Sequence, residues 1–164
     1  MENLNRLQNE MELLEKKITR AAFIRKKLIS SLPISQQKSA VNLIQYLALR
    51  NEDVRLLQDD LHQAGLSSLT SCESHILKQI QSIRQRIGAT IKTKDISLFD
   101  YHAAQNTLSK NTADLFGFKK ETAVPYIMVT LDNSFENDVN LIIALLKAGM
   151  NVARINCAHG DEKN

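Results

Sequence analysis

The stretch that decides the fold is "VPYIMVTLDNSFENDVNLIIALLKAGMNVARIN", residues 124–156. Val124 to Leu131 is a short, nearly continuous apolar run, rich in β-branched residues and bounded by polar turn residues. That is the pattern of a strand buried on both faces. Asn137 to Ala148 then takes helical spacing through Val139, Ile142, Ile143 and Leu146, and Gly149 marks the exit. Val152 to Asn156 is a second strand. Strand, helix and strand within about 35 residues predict a βαβ unit, which closes right-handed with its strands parallel. The second strand departs from its apolar pattern at Arg154 and Asn156 and runs on to His159 and Gly160.

Everything before this unit reads as helix. Leu4, Leu7, Met11, Leu14, Ile18, Ala21 and Leu28 keep one stripe on a helix of residues 3–30, in steps of three and four that resemble a heptad seam. Pro33 cannot continue that helix. Val41, Ile44, Leu47, Val54, Leu57 and Leu61 predict helix over 38–64, with a break at "RNED". Thr70 and Glu73 have capping-box spacing ahead of Ile76, Ile80, Ile83 and Ile87, which predicts a helix over 71–87. Ser97 with Asp100 opens another, over 98–116, with Tyr101, Ala104, Leu108 and Leu115 on one face. Tyr46 and Tyr101 are assigned to the core. Gly65, Gly88, Gly117 and Gly149 each follow a helical pattern directly. The expected organisation is therefore mainly α: a helical extension over 1–117, followed by an α/β segment over 124–164.

Composition bounds the function. With 43% hydrophobic and 24% charged residues among 164, the chain can build one ordinary core or two small ones. No apolar run reaches membrane-helix length, and the N-terminus lacks a basic stretch followed by an apolar block, so a soluble cytoplasmic chain with no membrane partner is expected. Cys72 and Cys157 lie far apart and suggest neither a disulfide framework nor a closed zinc site; Cys72 with His75 and Cys157 with His159 each fall short of four ligands. A formal charge of +3, with the two signs interspersed, shows no polyanion footprint.

"AVPYIMVTLDNSFENDVNLIIALLKAGMNVARINCAHGDE", residues 123–162, resembles the opening of the pyruvate kinase barrel, and "AGMNVARINCAHG", residues 148–160, is similar to a specific motif of that family. "NLIQYLALRNEDVRLLQDDLHQAGLSSLTSCESHIL" and "TLSKNTADLFG" are similar to the helical N-terminal extension of a long bacterial branch of pyruvate-kinase-like proteins. The resemblance implies that residues 124–164 begin a TIM (β/α)8 barrel of a glycolytic kinase, a transferase moving a phosphoryl group from phosphoenolpyruvate to ADP to give pyruvate and ATP. It implies Mg2+ and K+ in the complete enzyme, with no cofactor expected to be held tightly by this chain, and it sets Arg154 at the phosphoryl group, Asn156 on the monovalent cation and His159 at the nucleotide. Ala158 stands where the motif has a serine that also serves the cation, and Thr130 and Ser134 match the first strand's turn only approximately. The family's catalytic lysine, its magnesium-binding Glu and Asp and its proton-handling threonine would all lie beyond Asn164. By itself this chain is therefore expected to be inactive.

The placement of a guanidinium there has a physical reason. The C-terminal strand ends of an α/β barrel form its reactive face, and a moving phosphoryl group needs cations that can form paired hydrogen bonds with it. The plain alternative for Arg154 is an ion pair with a carboxylate. Two other functions stay open. The N-terminal seam could pair two chains into a homo-oligomer, making the helices an interaction or dimerisation module. Residues 52–87, with Lys78, Arg84 and Arg86 on the last helix, have the outline of a helix-turn-helix nucleic-acid binder, which the low net charge disfavours.

Overall fold

The computed structural model describes residues 2–119, 124–131 and 138–155. Over them the chain is mainly helical, with a small parallel sheet, and it divides into two compact units, Met1–Thr107 and Leu108–Asn164. The division falls within the helix Tyr101–Phe116, about ten residues before the boundary expected between residues 117 and 124.

The first unit is built on α1 (Glu2–Ile24). Leu7, Met11, Leu14 and Ile18 form its inward stripe, continued by the buried Ala22, and these four pack with Leu49 of α3 (Ile34–Arg50), Leu57 and Leu61 of α4 (Arg55–Gln63), and Ile76, Ile80 and Ile83 of α5 (Ile76–Arg86). The stripe follows the heptad spacing to Ile18 and then slips by one residue, to Ala22 in place of Ala21. A straight helix has 3.6 residues per turn, so a strict seven-residue repeat drifts off its face within a few turns. The helix also stops at Ile24, and α2 (Lys26–Ser30) restarts beyond Arg25 with Ile29 buried and Leu28 57% exposed. The seam is thus covered by the chain's own α3, α4 and α5.

Two of the expected helix starts are corrected. Thr70 and Glu73 form no capping box: the Thr70 hydroxyl pairs with that of Ser68 at 2.6 Å, and α5 begins only at Ile76. Its cap comes from α3, where Asn42 Oδ1 accepts from the Ile76 N–H at 3.0 Å and Asn42 Nδ2 donates to the Glu73 carbonyl at 2.6 Å. We expect Asn42→Ala to cost about 1–2 kcal/mol, the usual loss for a cap that leaves a helix N–H unpaired; a urea titration followed by far-UV circular dichroism measures it. The second correction concerns α6 (Tyr101–Phe116). Asp100 caps it by accepting from the Ala103 N–H at 2.9 Å, while Ser97 caps only the Phe99 N–H. That bond is the main reason the Asp100 carboxyl lies below its ordinary range. Tyr101, assigned to the core, is 53% exposed and meets His75 edge to face. Tyr46 is half-buried against the core as expected.

The break at "RNED" is present. The Asp53 carboxylate accepts from the Arg55 N–H and from its guanidinium, which holds its pKa down to about 2.

The second unit contains β1 (Ile127–Leu131), α7 (Val139–Lys147) and β2 (Met150–Ile155). Asp138 caps α7 through the Leu141 N–H at 2.9 Å. Gly149, at φ +108°, turns the chain from α7 into β2 in a conformation that side chains rarely adopt. The strands are parallel, with Thr130 opposite Arg154. Pairing skips one residue at its start: Met150 faces Ile127 and Val152 faces Met128. The intervening Asn151 uses its side-chain oxygen to accept from the Ile127 N–H at 3.0 Å, so the irregularity leaves that donor satisfied.

Burial on both faces, expected from the apolar run at Val124–Leu131, is not found. Among the described residues of this unit only Met150 is buried, and Met128, Val139, Leu146 and Ile155 are exposed. Two strands and one helix have too few faces to enclose one another. We therefore expect limited proteolysis to cut within 119–164 before 38–116; equal protection of both regions in hydrogen exchange would contradict this.

Candidate functional site

Arg154 lies near the C-terminal end of β2, in the second unit, beside the corresponding end of β1. Parallel pairing gives two neighbouring residues the same strand end, so the register that sets Thr130 opposite Arg154 also brings their side chains together. The Arg154 guanidinium donates from Nη1 to Thr130 Oγ1 at 3.3 Å, and both residues are exposed. Among the described residues Arg154 forms no ion pair. The carboxylate partner that would make it an ordinary strand-end arginine is thus not found there. A guanidinium has five N–H donors in a rigid fork, and one long bond to a hydroxyl leaves enough of them to grip a phosphate or carboxylate in bidentate fashion.

No protein-family model, curated protein or solved structure matches this chain. Asn156, His159, Ser134 and Ala158 lie outside the described residues, so of the residues the resemblance singled out, the structure brings together Arg154 and Thr130. Among the described residues no group of three His, Cys, Asp or Glu side chains could hold a metal ion. The magnesium-binding Glu and Asp that the resemblance implies are not among the residues of this chain that it matches.

The entry to β1 is fixed locally. Lys119 Nζ donates to the Val124 carbonyl at 2.8 Å and lies 5.1 Å from the centre of the Tyr126 ring, whose hydroxyl donates to the Gly117 carbonyl at 2.8 Å. These contacts tie the strand's start to the end of α6 within the same unit.

Cys72, His75 and Arg84 make contacts within the helical unit. Cys72 is buried and donates to the Leu69 carbonyl, and burial pushes its thiol up to about 11. The neighbouring His75 instead shares a hydrogen bond with Ser74. Between α4 and α5 run residues 64–75, far longer than the three or four residues of a helix-turn-helix. Arg84, considered for DNA contact, turns inward to Glu12 and Glu15 of α1.

That inward cluster was missed at the sequence level because its members are about 70 residues apart. Gln81, also buried, donates to Glu15 Oε1 at 2.8 Å and to the Asp95 carbonyl at 2.9 Å, and accepts from the Ser97 N–H at 2.7 Å. It holds the connection after α5 against α1. The same ion pairs form one wall of a groove of about 640 Å³, also lined by Arg20, Phe23 and Lys92.

Proposed function

We propose that the chain is the N-terminal portion of a pyruvate-kinase-like phosphotransferase. In this reading β1, α7 and β2 are the first elements of a (β/α)8 barrel, and the helices are an extension attached to it. The single observation that supports it is the exposed Arg154 side chain, beside Thr130 at the C-terminal ends of two parallel strands and without a carboxylate partner among the described residues. In parallel α/β folds that end of the strands is where chemistry is placed.

Arg154 would bind phosphoenolpyruvate through its phosphoryl oxygens and hold their charge as the phosphoryl group moves to ADP. Thr130 would orient the guanidinium by occupying one of its donors. Neither residue moves a proton in this scheme. The remaining groups of the reaction belong to barrel strands beyond those described here.

The test is expression of the whole reading frame that contains these residues, followed by an assay for pyruvate formed from phosphoenolpyruvate and ADP. The expected result is activity that falls about a hundredfold in Arg154→Met, the usual loss when one donor to developing charge is removed. Activity unchanged in that variant, or no activity in a folded wild-type product, would overturn the reading.

A further inference from the structure

Over the whole chain the charges nearly balance, yet from Lys16 to Asn51 there are eight Lys or Arg and no Asp or Glu. Part of this stretch forms the corner where α1 gives way to α2. Arg20, Arg25, Lys26 and Lys27 stand exposed there, with no ion pair among the described residues. The apolar side chains of the same corner also face water: Phe23 is 73% exposed, Ile24 70% and Leu28 57%, and beyond the far end of α2 Ile34, which opens α3, is 86% exposed. The inward stripe of α1 ends in Ala22, so the helix turns Phe23 and Ile24 away from the core.

We propose that this corner docks the chain on an anionic lipid surface. Cations alone would suit any polyanion. Cations set around exposed Phe, Ile and Leu match a surface that has phosphate at its face and hydrocarbon just beneath it. A nucleic acid would engage the four cations through its phosphates and leave Ile24, Leu28 and Ile34 in water. The stretch itself has no carboxylate, and Glu12 and Glu15, which line a groove together with Arg20 and Phe23, are paired with Arg84. Among the described residues no helix is long and apolar enough to cross a membrane, so the attachment is peripheral, reversible and salt-sensitive. It does not depend on the catalytic reading of Arg154.

Cosedimentation of the full chain with vesicles tests this, using phosphatidylcholine containing one third phosphatidylglycerol against phosphatidylcholine alone. The expected result is binding to the anionic vesicles at least about tenfold stronger than to the neutral ones, and release at about 0.5 M NaCl. Two double variants, Phe23→Ser with Ile24→Ser and Lys26→Glu with Lys27→Glu, should each weaken binding about tenfold or more, with the helical circular dichroism unchanged. All four positions are exposed, and either pair alone suffices if the other fails to fold. No sedimentation with anionic vesicles at low salt, equal binding to neutral vesicles, or wild-type binding by the folded variants would overturn the proposal. So would tighter binding to a duplex oligonucleotide than to the vesicles, which would make the corner a nucleic-acid face.

Discussion

Ile80→Ala should lower the stability of the helical unit by about 3–4 kcal/mol. Ile80 is 0% exposed and belongs to the cluster that joins α5 to the α1 stripe. Truncation removes three carbons' worth of apolar burial and leaves a cavity that helices held on several sides cannot collapse to fill, and such changes cost about 2–5 kcal/mol. Against a typical total of about 5–15 kcal/mol this is a large share. Urea denaturation followed by helical circular dichroism measures it, with Leu98→Ala as the comparison. Leu98 is exposed, and its truncation should change stability by less than about 0.5 kcal/mol. A loss below about 1 kcal/mol for Ile80→Ala would mean that α5 does not pack where it is described.

Arg84→Met should cost nearly as much, about 3 kcal/mol, for an electrostatic reason. The side chains of Arg84 and Glu15 are 13% and 14% exposed, and the guanidinium also reaches Glu12 at 3.1 Å. Removing the cation leaves Glu15 largely out of water with only the Gln81 amide as partner. Breaking a buried pair from one side costs about 3–5 kcal/mol, and the lower end applies because Glu12 keeps access to solvent. Methionine preserves much of the apolar stem, so the loss reports charge more than packing. The double variant Arg84→Met with Glu15→Gln should recover about half of it, because no stranded carboxylate remains. If the double variant is as unstable as the sum of the singles, the two residues are not coupled and the described pair is absent.

These two sites also show what could and could not be seen in the amino-acid sequence. The isoleucines of α5 recur at helical spacing, so the helix and its inward face were legible. Periodicity carries no information about which helix they meet. Glu12, Glu15 and Gln81 each look like ordinary polar surface residues, and only the tertiary fold brings them to Arg84. The start of α5 was misplaced for a related reason: a local capping box at Thr70 and Glu73 competed with Asn42, a cap supplied from another helix, and the distant residue prevailed. Ala22 and Ile29 replaced Ala21 and Leu28 because the actual helix pitch, together with the interruption at Arg25, outweighs an idealised heptad.

In the second unit the parallel strands and their crossover helix were legible from the change of period at Val124, and Arg154 and Thr130 meet as their places on those strands require. Their exposure was not legible. An apolar run implies that a strand can be buried on both faces, but it does not supply the layers that would bury it. The basic corner at Arg20–Lys27 was hidden by counting charge over the whole chain. A count over windows of about 30 residues would have found it, because the missing acids are a local feature.

The claim on which the functional reading depends is the register that sets Arg154 beside Thr130. Nuclear Overhauser contacts between the backbone protons of Met128–Leu131 and Val152–Ile155 measure it directly. The expected result is a parallel pattern with Thr130 opposite Arg154. A pattern shifted by one residue would turn Arg154 to the opposite face of the sheet, and that shift, or an antiparallel or unpaired pattern, would contradict the assignment.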